Sequence, residues 1–193
     1  MSHVGHADYD NAPSGVRAAW DAEMRARGRV TNMKRTLLLS EPAYSAYMAW
    51  YPLWDALVWD ALEKLVGHRA AALFAHAISA QNGCVLCTLY FRRELDEAGI
   101  TPESFAPSGD EALLTRLAES MAGGANGANE ALWHDLKARF CDRDLVDIVG
   151  FAGMMIAVNT FNSTLGVAID KDLERFLPAL SPAAANAAAS GSR

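Results

Sequence analysis

From Asp142 onward, Leu145, Ile148, Val149, Ala152, Met155, Ile156 and Asn159 recur at the three- and four-residue spacing of an α-helix. The segment is apolar nearly all round. Such a helix belongs inside a domain or in a subunit contact, so the rest of the chain must supply elements that cover it. Those elements also read as helices. Val16, Trp20 and Met24 stand four apart between Ser14 and Gly28 and predict a first helix that the glycine ends. Val30 to Leu39 is a short segment closing on Leu37-Leu38-Leu39. Ser40-Glu41-Pro42 reads as an N-cap with proline in the first turn, followed by Tyr44, Tyr47, Met48 and Tyr51 up to Pro52.

Trp54, Leu57, Val58, Leu62 and Leu65 form the next stripe, which Gly67 stops. Aromatics at this spacing predict core or subunit interface rather than a ligand pocket. His68 to Ala80 is an alanine-rich helix that lets its neighbours approach closely. A helix from Asn82 to Ala98, closed by Gly99, comes next, then a turn or short helix at Thr101-Pro102. Asp110 to Met121 is helical, Gly123 to Gly127 is a connector, and Asn129 or Glu130 to Phe140 is helical again. Asp142 caps the long apolar helix, and a short segment from Asp170 to Leu177 precedes Pro178. No strand alternation and no internal repeat is visible. The fold class read from the pattern is all-α, with residues 1–13 as a flexible arm, 14–180 as one domain and 181–193 as a flexible Ala/Ser/Gly-rich tail.

Composition narrows the function. With 193 residues, 51% of them hydrophobic, the chain can bury a full core. A net charge of −6 and no basic run longer than Arg92-Arg93 argue against nucleic acid or an anionic membrane as partner, and those arginines read as solvated. The longest apolar run, Ile148 to Val158, is too short to cross a bilayer. No secretory signal is recognisable, and three cysteines do not make a secreted disulfide framework, so a reducing cytoplasm is the expected location.

In that compartment a CxxC tends to be redox-active or metal-binding. Cys84-Val85-Leu86-Cys87 follows Asn82-Gly83 at the head of a helix. Asn82 as N-cap places Cys84 in the first turn, where the helix dipole favours a thiolate. Cys87 lies one turn on, on the same face, so the two sulfurs can meet. Two buried small residues would be the inert alternative. No βαβ unit supports a thioredoxin fold, and Thr88 stands where a c-type haem site needs histidine. Zinc would require Cys141, His68 or His76 to complete a ligand set, and no second paired motif exists. No metal and no cofactor is expected.

The phrases Ser79-Ala80-Gln81-Asn82-Gly83-Cys84-Val85-Leu86-Cys87 and Asn159…Asn162…Leu165-Gly166-Val167 resemble the AhpD-like/carboxymuconolactone decarboxylase family, over roughly the central and C-terminal hundred residues. The resemblance implies an AhpD-like helical bundle, a homo-oligomer (trimer or hexamer) and a peroxidase working through a Cys84/Cys87 dithiol–disulfide cycle. Its substrate would be a hydroperoxide and its electron donor a protein or small-molecule dithiol. Cys87 would attack the peroxide and Cys84 would resolve it, although helix position alone makes Cys84 the more acidic thiol. The family's glutamate and histidine relay falls on Ala72 and Phe91 here. His76, Tyr90 and Glu94 are the candidate substitutes, with His76 placed third in the catalytic set. Each also has a plain structural role: His76 in the core, Tyr90 in packing, Glu94 beside Arg93. The alternatives are a non-catalytic binding module, with Trp50, Tyr51, Trp54 and Trp59 on its surface, or a decarboxylase-like lyase.

Overall fold

The computed structural model describes residues 2–55, 62–101, 105–122 and 128–179. Leu57, Val58, Trp59, the turn at Pro102, the 123–127 connector and the 181–193 tail lie outside them, as does the side chain of Trp54. Among the described residues the regular structure is helical throughout.

Local chemistry sets most helix ends. Helix α1 (Ser14–Arg27) stops at Gly28, whose φ of 70° lets its N–H reach the Met24 carbonyl at 2.9 Å. Thr31 caps α2 (Asn32–Leu37) and Ser40 caps α3 (Glu41–Met48), each oxygen accepting the N–H three residues on. A new turn, α4 (Tyr51–Asp55), starts with Pro52 in its second position. Gly67 does not stop the next helix: α5 runs unbroken over Leu62–Gln81. An interior glycine costs only about 1 kcal/mol, which the buried stretch from Ala70 to Ile78 overcomes. Helices α6 (Val85–Glu97), α7 (Asp110–Ala122) and α8 (Glu130–Arg139, capped by Asn129) follow. The last, α9 (Asp142–Leu165), is capped by Cys141 rather than Asp142; the Asp144 carboxylate accepts the Cys141 N–H at 3.3 Å. A 3-10 helix over Lys171–Ala179 ends the described chain.

Helix α5 is the hub, packed on α6, α7 and α9. Ala70, Ala71 and Ala75 bring its backbone close to those neighbours. Phe74 and Ile78 then meet Leu114 and Leu117 of α7, Leu136 of α8, and Ile148, Phe151 and Ala152 of α9, all at 0–1% exposure. The Phe74 and Phe151 rings lie 6.0 Å apart. A second cluster joins Leu86, Leu89 and the two cysteines of the α6 region to Val167, Leu173 and Phe176 of the C-terminal segment.

Helix α9 is 24 residues long, and by length and composition it could cross a membrane, which the shorter apolar run suggested it could not. Here it is the inner helix of a bundle, with 39% of its apolar window buried inside one copy of the chain. Residues 2–13 are not a loose arm. The N–H groups of His3 and Ala7 bond to the Leu165 and Arg35 carbonyls, both at 2.9 Å, and Ala7 and Ala12 are buried. His6 is half-buried, and burial followed by the nearby Arg35 charge lowers its pKa.

Candidate active site

The two cysteines are placed by a reversal between α5 and α6. Gly83, at φ 67°, donates its N–H to the Ala80 carbonyl, and Cys84 donates to Ser79, both at 3.1 Å. That is a Schellman closure of α5, and Cys84, its last residue, is also the N-cap of α6. The cap is therefore not Asn82. A sulfur replaces the usual oxygen: the Cys84 Sγ accepts the Cys87 N–H at 3.4 Å. The Thr88 hydroxyl and N–H both bond the Cys84 carbonyl, at 2.8 and 2.9 Å, and lock the first turn.

Both thiols are free, with 1% of Cys84 and 5% of Cys87 exposed. They ionise in opposite directions. The Cys84 pKa lies below the ordinary thiol value because the Cys87 thiol donates to it, with the Cys87 N–H and the Ser163 side chain adding to that support against burial. Burial, first, and donation to Cys84, second, push the Cys87 thiol well up, while Asn162 Nδ2 opposes this by donating to its sulfur at 3.3 Å. Of the two, Cys84 is thus the more acidic, and its sulfur accepts from the Cys87 thiol. Replacing Cys87 by alanine removes the contact that most lowers the Cys84 pKa and leaves the burial. The Cys84 pKa is then expected to rise, as read from ultraviolet thiolate absorbance against pH. An unchanged value would show that the thiol–thiol contact does not set it.

Cys87 forms part of the wall of a cavity of about 240 Å³. Leu86, Phe91, Met154, Met155 and Val158 make that wall mainly apolar; Asn162, Tyr51, Tyr90 and Lys34 supply polar groups. Arg27 and Arg29, with 40% and 39% of their side chains exposed, lie toward its solvent end. Asp170, also lining it, takes the Asn32 N–H at 2.8 Å, and burial raises its carboxyl pKa.

The positions named from sequence part company here. Phe91, where the resemblance expects histidine, is in the cavity and apolar. Ala72 is buried elsewhere, against Leu73 and Leu95. Tyr90 lines the cavity, with the Arg93 guanidinium 4.6 Å from its ring centre. Glu94 pairs with Arg93 at 3.0 Å. Arg93 itself is buried, not solvated, and reaches Asp172 at 2.8 Å, which ties α6 to the 3-10 helix. His76 is half-buried on α5 and is not among the residues that form the cavity. Among the described residues no three His, Cys, Asp or Glu side chains converge as a metal site, and Cys141 is exposed at the start of α9.

Sequence reasoning missed Lys34 and Glu23. Lys34 is 3% exposed and Glu23 8%, and their side chains form a hydrogen-bonded ion pair. The Tyr44 hydroxyl donates to the other Glu23 oxygen at 3.2 Å, and burial, then the Glu23 charge, raise its pKa to about 12. The Lys34 ammonium also lies 4.6 Å from the centre of the Tyr51 ring, whose phenol burial keeps protonated. The available signal was position: Glu23 lies three residues after Trp20 on α1, and Lys34 three before Leu37 on α2, both on apolar faces.

The helical bundle has an AhpD-like fold. The chain matches an uncharacterized peroxidase-related protein from Silicibacter sp. TM1040 with a TM-score of 0.70 and 18% identity, over 89% of this chain and 93% of that one. It also matches an alkylhydroperoxidase AhpD core, an uncharacterized peroxidase-related protein from Ralstonia eutropha JMP134 (TM-score 0.67, 19% identity, 90% and 94% covered). No protein-family model and no curated protein matches the sequence.

Proposed function

We propose that the protein reduces an organic hydroperoxide through a Cys84/Cys87 dithiol–disulfide cycle, with an external dithiol, protein or small molecule, returning the electrons. The observation that carries this reading is the placement of the Cys87 sulfur on the wall of a mainly apolar cavity while its thiol contacts Cys84. An apolar wall suits an organic peroxide better than hydrogen peroxide. The fold neighbours, named as peroxidase-related, agree with the class of reaction.

The missing relay finds a replacement inside the dithiol. The Cys84 thiolate takes the Cys87 proton along their contact, and the Cys87 sulfur then attacks the distal peroxide oxygen. The O–O bond breaks, its electron pair leaves on the alkoxide, which becomes the alcohol on protonation, and Cys87 becomes a sulfenic acid. Cys84, deprotonated again, displaces hydroxide from that sulfur to form the disulfide. In balance, one thiolate, one thiol and ROOH give a disulfide, ROH and hydroxide. Reduction by the external dithiol closes the cycle in a reducing cytoplasm. Assembly as a homo-oligomer belongs to the same reading, because one copy leaves much of the α9 apolar window uncovered.

The test is single turnover without reductant. The reduced protein should consume one equivalent of cumene hydroperoxide faster than free cysteine does; consumption at the free-cysteine rate would remove the proposal.

A further inference from the structure

We infer that Lys34 is the general acid of this site, donating from Nζ to the alkoxide oxygen that leaves when Cys87 takes the distal oxygen. The inference rests on the peroxidase reading above and adds the group that completes its proton transfers. Lys34 reaches the cavity from α2, an element distant in sequence from the cysteines, and shares the cavity wall with the Cys87 sulfur.

Three observations single it out. Its side chain is 4% exposed, yet it is held as one half of an ion pair with Glu23, itself 10% exposed at the side chain. A buried pair of this kind contributes little net stability, because desolvation offsets the attraction, so its place on a reaction cavity points to chemistry. Second, the Glu23 carboxylate that holds the ammonium is fixed in turn by the Tyr44 hydroxyl, and the Tyr51 ring packs against Nζ. This positions the ammonium much as a carboxylate positions a catalytic histidine. Third, burial makes the Tyr51 phenol on the same wall a weaker acid than usual, and the Asp170 carboxylate is taken up by the Asn32 N–H at 2.8 Å. A guanidinium is not a transferable-proton donor, which sets the two arginines of the wall aside.

An alkoxide is strongly basic, so proton delivery as the O–O bond opens lowers the barrier of that step. The electron pair of the O–O bond goes to the departing oxygen, the Lys34 proton joins it to give ROH, and the amine regains a proton from solvent. Cys87 supplies the electrons; Lys34 supplies only the proton.

The leaving group tests this. Cumene hydroperoxide expels an alkoxide that needs a proton, whereas peracetic acid expels acetate, which does not. The Glu23→Gln/Lys34→Met double variant removes both charges together and strands neither. Its rate constant for Cys87 oxidation should fall by about 10²–10³-fold with cumene hydroperoxide and stay within about threefold with peracetic acid. Lys34→Arg, which keeps the charge without a transferable proton, should be slow with the hydroperoxide alone. Equal losses with both oxidants, no loss with either, or full activity in Lys34→Arg would overturn the role of Lys34 and leave the peroxidase reading standing. A wild-type protein no faster than free cysteine with cumene hydroperoxide would overturn both.

Discussion

Replacing Cys87 by serine is expected to reduce hydroperoxide consumption to the uncatalysed rate, a loss of at least about 10³-fold, followed by loss of peroxide in a stopped assay. The serine hydroxyl fits the same space and can still donate to the Cys84 sulfur. What disappears is the only thiol on the cavity wall among the described residues. Cys84 cannot take over, because it is 1% exposed and is not among the residues that line the cavity. The companion variant gives a different signature. Cys84→Ser keeps the attacking sulfur but removes both its proton acceptor and its resolving partner. A slow single oxidation that stops at a Cys87 sulfenic acid, trapped by dimedone and seen by mass spectrometry, is the expected outcome. Undiminished peroxide consumption by Cys87→Ser would assign the chemistry elsewhere.

The second large effect concerns the frame that holds the cysteines. Phe74 is completely buried at the crossing of α5 with α9, against Phe151 and among close-packed leucines. Phe74→Ala leaves a void that neighbours on three helices cannot all collapse into. The expected cost is about 3–5 kcal/mol, measured as a lowered urea midpoint with an unchanged slope. Because α5 runs directly into the Schellman turn that delivers Cys84, loosening it should also blur the Cys84 titration described above. A loss below about 1 kcal/mol would mean that this aromatic pair is not the centre of the core.

Much of this architecture was legible because helix periodicity and capping are local properties. Val16 to Gly28, the Ser40 cap and the apolar repeat of α9 each carry their own signal, and the structure follows them closely. Gly67 was misread because its stop signal is a weak local preference, and the packing of Ala70 to Ile78 further along α5 overrides it. The N-cap at Cys84 was hidden because Asn82 is the better capper by chemistry. Which residue caps depends on where the preceding helix closes, and the left-handed Gly83 decides that. On α1 the apolar stripe implied that Met24 would be inside, whereas Met24 is 44% exposed and Glu23, its neighbour, is buried.

The site divides in the same way. The CxxC is a sequence-local motif at the head of α6, although Cys84 is the N-cap and not a residue of the first turn. The rest of the cavity is assembled from α2, α4, α6 and α9, so no spacing rule connects Lys34, Tyr51, Tyr90 and Asn162. His76 attracted notice because histidine is the usual proton carrier near neutral pH. The long-range fold brings Lys34, ion-paired with Glu23, to the cavity wall, and burial of charges on apolar helix faces was its only trace.

The account rests on Cys84 and Cys87 passing from two thiols to one disulfide at the expense of a peroxide. Reduced wild-type protein, freed of reductant and given one equivalent of cumene hydroperoxide, should lose two hydrogens and yield a peptide in which Cys84 is linked to Cys87. Intact protein that keeps both thiols alkylatable after the peroxide has been added would contradict it.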